Sequence, residues 1–402
     1  MKKVTQQQIK QANMETVFRL IQTSKGASRA SLSKVTQLSP TTISTIVDDL
    51  IKKSIVVESA LIDNPGAGRK AITLEINNGS KYLIGMELNE LGVTGTIYNL
   101  KNDPFITKTL LYNKKNHDKD EFLRLIVDLV RMLVDAVPDK TKELLGICIG
   151  VPGMLDSERR SIVVSTPLLI KDMEIINKLS LELPYPVYME NESLLAAIAE
   201  KEHFKKTTGP FIYLNVNKGL GVSIMINDKP MLGVSKVFPE IGHMSLDVNG
   251  PLCPCGNRGC FETMVSLTAL TERTLMLMPE YKDSVLHKLT GSDPEKINEL
   301  VIAQAVKLND PLALAVVQEI SRNLAYGIVN LINIFNPEVI VIGGRLSHLG
   351  EVLLASVVDI VHERALAPFS QACSIFLSRL NVNNVSAGAS LYVLNKVLEE
   401  QI

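Results

Sequence analysis

Apolar residues recur at helical spacing through the first fifth of the chain. Ile9, Val17, Leu20 and Ile21 mark a helix within residues 5–24. Residues 28–35 read as a short second helix capped by Ser28. Ile43, Ile46, Val47 and Leu50 give residues 41–53 one apolar face and predict a third. Between the second and third, Thr36 to Ser39 form a turn, with Ser39 as N-cap and Pro40 at the first helical position, where a missing N–H costs nothing. The period then shortens. Residues 55–58 and 71–76 read as two strands around a glycine-rich tip, residues 63–70, that ends in Arg69 and Lys70. Three helices and a hairpin with a basic tip predict a winged helix-turn-helix over residues 1–78.

A second pattern starts near Ser80. Residues 82–88 and 92–98 read as paired strands, 120–137 as an amphipathic helix, and 144–153 as a buried strand running into a tight loop. Residues 187–190 give another strand and 193–202 a helix. Strands at 211–216 and 221–226 open a comparable set. A largely helical stretch, 263–335, follows them, then a buried strand ending in Gly343-Gly344 and a last helix, 387–401. Strand pairs alternating with helices in two similar halves predict a two-lobed α/β fold with a cleft between lobes. The expected boundaries are residues 80–198 with 385–402 for the first lobe and 199–384 for the second.

Charge changes the picture at the N-terminus. Residues 1–80 hold 11 Lys/Arg against 6 Asp/Glu, leaving 31 against 37 in the remainder. A basic segment on an acidic body suggests an anionic partner for that segment. The polar face of the third helix shows Thr41, Thr42, Ser44 and Thr45, short groups that reach phosphates and base edges. With Ser39 at the helix start and Arg69 and Lys70 at the tip, they make DNA the expected partner. A helical dimerisation module with a surface hairpin is the alternative. No apolar run reaches the roughly 18 to 20 residues of a membrane helix, and residues 1–10 are polar. A cytoplasmic protein with no membrane partner is therefore expected.

Three of the five cysteines fall within eight residues, and a histidine precedes them by ten. Three thiolates and one imidazole, Cys253, Cys255, Cys260 and His243, fill a tetrahedral zinc shell and leave no open position. One structural Zn2+ per chain is expected. Gly256 and Gly259 permit the tight turns that gather the sulfurs. Cys148 and Cys373 stand alone in apolar stretches and read as buried, inert thiols.

The run from Glu240-Ile241-Gly242-His243 to Cys253-Pro-Cys-Gly-Asn-Arg-Gly-Cys260-Phe-Glu262 resembles the signature of the ROK family of repressors and sugar kinases. The Pro152-Gly153 loop, Glu190-Asn191-Glu192 and Asn336-Pro337 before the strand at Val339 fit in order. The resemblance implies an actin/hexokinase-like body. The preceding helix-turn-helix places the chain with the repressor branch. It also implies sugar binding by Asn191, Glu192, Glu240, His243 and Glu262, with His243 giving one nitrogen to zinc and the other to a hydroxyl.

Catalysis is not expected. The Asp-x-Gly-Gly-Thr turn of family kinases is replaced by Glu87-Leu88-Asn89-Glu90-Leu91, and two carboxylates there repel a polyphosphate. The Gly-Thr-Gly loop becomes Asn217-Lys218-Gly219, and Glu192 stands at the base position in place of Asp. The expected function is repression of carbohydrate genes, relieved by an unphosphorylated sugar or sugar derivative, in a homodimer or homotetramer bound to operator DNA. An ATP-dependent sugar kinase, and a repressor governed by a sugar-transport protein, are the two rival readings.

Overall fold

The structure, a computed structural model, describes residues 6–24, 26–62, 71–112, 119–137, 139, 143–156, 160–204, 207–234, 237–380 and 384–400. The described residues fall into two compact units. One comprises residues up to Asn191 together with those from Val385 onward; the other is Glu192–Asn384.

The first unit opens with helices Gln6–Thr23, Arg29–Thr36 and Pro40–Lys52. Ser28 and Ser31 cap the second helix reciprocally, each hydroxyl accepting the other's backbone N–H. Ser39 accepts the Thr42 N–H at the head of the third, directly before Pro40. Val17, Phe18, Ile21, Leu32, Ile43, Val47 and Leu50 are buried together with Ile55, Val56 and Leu74 of the hairpin that follows. That hairpin pairs β1 (Val56–Ile62) with β2 (Ala71–Ile76) antiparallel, with an irregularity between Ser59 and Leu61. The basic tip, with Arg69 and Lys70, lies outside the described residues.

Three consecutive strands continue the unit: β3 (Lys81–Asn89), β4 (Gly92–Asn99) and β5 (Pro104–Leu111). They are joined by β6 (Glu143–Val151), a small antiparallel sheet of β7 (Met154–Asp156), β8 (Ser161–Ser165) and β9 (Ile170–Met173), and then β10 (Val187–Asn191). The main sheet runs β10-β6-β3-β4-β5, with β10, β6 and β3 parallel and β3, β4 and β5 antiparallel. Helices Lys119–Ala136 and Ile175–Glu182 bury Ile126, Val130, Leu133 and Leu179 on one face. The C-terminal helix Asn384–Glu400 lies so close that a Cβ at Gly85 would come within 1.8 Å of the Ser386 carbonyl oxygen. Glycine is required there by backbone approach alone.

The second unit repeats the plan. Its strands are β11 (Phe211–Val216), β12 (Leu220–Ile226), β13 (Lys229–Pro230), β14 (Val339–Gly343) and β15 (Ser374–Leu377), in the order β13-β12-β11-β14-β15. Again a three-strand antiparallel meander is extended by two parallel strands. The core is built on the 25-residue helix Pro311–Phe335, which buries Leu312, Val316, Ile320, Leu324, Ile328 and Leu331. Two similar α/β halves agree with the expected fold class. One expectation fails in part: Cys373, at the end of helix Ala367–Ala372, is half-buried and packs against the edge of the core without being enclosed by it. Cys148, on the central strand β6, is fully buried. Among the described residues no single helix is long and apolar enough to cross a membrane.

Candidate functional site

In the second unit the four predicted ligands converge. The ligand atoms of His243, Cys253, Cys255 and Cys260 all lie within 4.8 Å of one another. The backbone explains how. Ser245 bridges Cys260, and Leu252 bridges Arg258, folding 243–260 into a double-backed loop. Gly256 turns it at φ +93° and Gly259 at φ +60°. A Cβ at Gly259 would lie 1.6 Å from the Asp247 carbonyl oxygen, so that position admits only glycine. Asn257 steadies the turn by donating to the Ser245 hydroxyl (2.8 Å) and to Cys260 Sγ (3.4 Å).

The spacings suit a tetrahedral cation. Zn–S of about 2.3 Å and Zn–N of about 2.0 to 2.1 Å set edges near 3.8 Å for S···S and about 3.6 Å for N···S. The Cys255 and Cys260 sulfurs are 3.7 Å apart, and Cys253 Sγ is 3.6 Å from His243 Nδ1. The donor chemistry points the same way. The Asn257 backbone N–H lowers the Cys255 thiol, as a thiolate ligand requires. Burial pushes the Cys253 thiol up to about 12 and also raises Cys260, an expense that a bound cation would offset.

Two predicted sugar carboxylates belong to the same cluster. Glu262 Oε1 lies 3.5 Å from His243 Nδ1 and 3.4 Å from the Cys253 sulfur, while Oε2 accepts the Leu220 N–H at 3.4 Å. Glu240 precedes the single turn Ile241–His243 and is exposed. The desolvation it does undergo raises its carboxyl above the ordinary value, and Glu262 adds to this against the pull of His243. Glu192 begins helix Glu192–Lys201, where its Oε1 accepts from Asn215 Nδ2 at 3.3 Å. Asn215 is buried, and its carbonyl accepts from Asn217, whose own carbonyl accepts the Arg345 N–H at 2.9 Å. Nothing in the apolar run Phe211–Val216 singled Asn215 out as Glu192's partner; the link appears only once β11 is placed.

In the first unit, Asn191 closes β10 and its Nδ2 donates to the Gly153 carbonyl at 3.0 Å. Gly153 holds φ +113°, and a Cβ there would meet the Val164 carbonyl oxygen at 2.3 Å. The stretch compared with the kinase phosphate turn is a tight hairpin without that turn's glycines and threonine. Asn89 Oδ1 accepts the N–H groups of Leu91 and Gly92, closing β3 onto β4. Burial, with a smaller push from Glu90 and against a hydrogen bond from Asn89, raises the Glu87 carboxyl there to about 7. On the third helix, Ser39, Thr41 and Thr45 are exposed and Thr42 and Ser44 half-buried. The Thr42 and Thr41 hydroxyls are each 2.8 Å from Ser39 Oγ.

The ROK family model matches residues 91–396. The chain is 29% identical to the xylose repressor of Caldicellulosiruptor bescii over 391 residues, covering 97% of both chains. It is 27% identical to the xylose repressor of Bacillus subtilis strain 168, again over 97% of each. It is 24% identical to the N-acetylglucosamine repressor of Escherichia coli O157:H7, over 98% of this chain and 96% of that one. Among solved structures, a ROK transcriptional regulator homologous to the E. coli MLC protein superposes with TM-score 0.83, at 26% identity and 97% coverage of both chains. A Streptomyces griseus ROK glucokinase, crystallised with glucose and AMPPNP, superposes with TM-score 0.69 at 20% identity. It is covered over 98% of its length but covers only 77% of this chain.

Proposed function

This chain belongs to the ROK family, and from that premise we propose that it is a sugar-responsive transcriptional repressor that binds operator DNA through residues 1–78 and releases it on binding an unphosphorylated sugar. One observation carries the reading: the repressor relatives are matched over 97% of both chains, whereas the glucokinase, matched over nearly its whole length, covers 77% of this chain and leaves room for an additional domain. Helix Pro40–Lys52 presents Ser39, Thr41, Thr42, Ser44 and Thr45 for the major groove, and Arg69 and Lys70 supply backbone affinity. The first lobe is assigned residues 80–198 with 385–402, and the second 199–384.

Asn191, Glu192, Glu240, His243 and Glu262 form the sugar-reading set, a mixture of donor amide and acceptor carboxylates suited to a polyol. One zinc ion is held by His243, Cys253, Cys255 and Cys260. When bound it supplies no reactive position, since four protein ligands close its shell. His243 turns Nδ1 to Cys253 and so offers Nε2 to a hydroxyl, and Glu262 sits against Nδ1 and the Cys253 sulfur. Asn215 keeps Glu192 oriented as an acceptor. The hairpin at Asn89 to Gly92 and the carboxylates Glu87 and Glu90 provide no cradle for a polyphosphate, so the sugar is a signal and not a substrate. A homodimer or homotetramer in the cytoplasm completes the reading.

The test is a gel-shift titration of the full chain on duplexes it selects from a random pool, with and without a panel of pentoses, hexoses, N-acetyl sugars and their phosphates. Release by one unphosphorylated sugar is expected. Release only by a phosphorylated sugar, or by none, would overturn the effector assignment.

A further inference from the structure

Arg29 lies on the second helix, outside the set of side chains expected to meet DNA. Its Nη1 donates to the Ser44 carbonyl oxygen at 3.2 Å. Its Nη2 lies 2.8 Å from Asp48 Oδ1 and 3.2 Å from Glu58 Oε1. Ser44 and Asp48 belong to helix Pro40–Lys52, and Glu58 to β1. One guanidinium therefore joins the second helix, the helix that carries Thr41, Thr42, Ser44 and Thr45, and the first strand of the hairpin.

We propose that Arg29 is a positioning residue for operator recognition: it fixes the third helix against the hairpin, and so sets sequence specificity, without itself touching DNA. Four features argue for this. The planar fork satisfies three acceptors on two elements at once, a geometry the single ammonium of lysine does not reproduce. Two carboxylates already neutralise the charge, which leaves little for a phosphate. Asp48 and Glu58 are both exposed, and Asp48 lies on the helix expected to read DNA, where an unpaired carboxylate would repel a phosphate backbone; pairing with Arg29 offsets that. The contact to the Ser44 carbonyl falls between Thr41 and Thr45, so a shift of the clamp moves the base-reading side chains directly. Free energy lost here falls on the specific complex, because base-edge contacts are steep in geometry while phosphate contacts are forgiving.

The proposal rests on the reading that this domain binds operator DNA, and the experiment separates the two. The full chain is titrated on a duplex selected from a random pool by the wild type and on a scrambled duplex of equal composition, across a salt series. If the wild type selects no duplex, the DNA-binding reading itself fails. If it does, Asp48→Asn is decisive, because two accounts predict opposite signs. Removing a negative charge near DNA should tighten binding to both duplexes on electrostatic grounds alone. Loss of the clamp should instead weaken the selected duplex about tenfold, roughly 1.4 kcal/mol, with the scrambled duplex unchanged or tighter. Arg29→Lys and Glu58→Gln should show the same selective loss, and Arg29→Lys/Asp48→Asn no more than either single change. Arg29→Ala should leave the salt slope unaltered. A slope lowered by about one, with both duplexes weakened alike, would make Arg29 a phosphate contact. Tightening by Asp48→Asn would likewise overturn the clamp. Should Arg29→Ala fail to fold, the Asp48 and Glu58 variants still decide.

Discussion

Phe261 packs directly against Gly327: a Cβ on that glycine would come within 2.1 Å of the phenyl ring. Phe261 immediately follows Cys260 and is fully buried, and Gly327 lies on the long central helix Pro311–Phe335. The cysteine loop is thus anchored to the core of the second unit at this close approach, and Asn323 of the same helix donates to the Met264 carbonyl beside it. Glycine in a helix interior costs about 1 kcal/mol relative to alanine, and here that cost admits the ring.

Gly327→Ala should therefore destabilise despite its better helix propensity. The Cβ has no room, and overpacking a core typically costs about 1 to 3 kcal/mol. The expected result is a lower midpoint in thermal or urea unfolding and a looser hold on zinc, read by a chromogenic chelator competition. A variant as stable as wild type would mean that the ring moves aside freely.

Metal analysis of protein purified without chelator should return one zinc per chain. Cys255→Ser replaces an exposed thiolate ligand by a hydroxyl, which is a poor zinc donor at neutral pH. It should lower metal content and melting temperature together and weaken the sugar response, since Glu262 and His243 stand in the same loop. Stripping the wild type with chelator should give the same loss, and restored zinc should reverse it. Full sugar response in metal-free protein would remove zinc from the reading site.

Glu87 offers a pH test with a definite sign. Its carboxyl rises from the ordinary 4.5 to about 7 in the folded chain, chiefly through burial. The folded state then binds more protons than the unfolded state between those values. Stability should fall as pH rises from about 4.5 to about 7 and remain penalised above. Glu87→Gln should flatten that part of the profile and be relatively more stable at pH 8 than at pH 5. An unchanged slope between pH 5 and 7 would show that Glu87 titrates normally.

The elements that periodicity reveals are those with a buried face. The first and third N-terminal helices bury residues at helical spacing, and β3, β6, β11 and β14 carry unbroken buried runs, whereas the second helix buries Leu32 and is marked by its Ser28 cap. Strand β5 escaped because it is an edge strand whose residues alternate exposed and half-buried, with Phe105 and Leu111 facing solvent. The short strands β7 to β9 are held by tertiary packing, and their three to five residues are too few for a period to register. The metal cluster was legible because its ligands are close in sequence and chemically unusual. Asn215 and Arg29 were not, because each acts on partners brought near by folding, and neither stands out in its own stretch of chain.

The remaining prediction separates a sugar-reading repressor from its rivals. Asn191 is oriented by the Gly153 carbonyl, and Glu240 stands beside His243. Losing one oriented hydrogen bond to a hydroxyl costs on the order of 1 to 3 kcal/mol, or roughly ten- to a hundredfold in affinity. Asn191→Ala and Glu240→Ala should each weaken effector binding by that factor in calorimetry with whichever sugar releases the wild type from DNA. Binding to the selected duplex without sugar should be unchanged, because neither residue belongs to the helix-turn-helix. The outcome is a repressor that cannot be relieved. Intact release by the Asn191 variant would instead point to control by a protein partner. Turnover of ATP with any sugar at about 1 per second or faster would restore the kinase reading, and with it the need for a phosphate cradle that the hairpin at Asn89 to Gly92 does not provide.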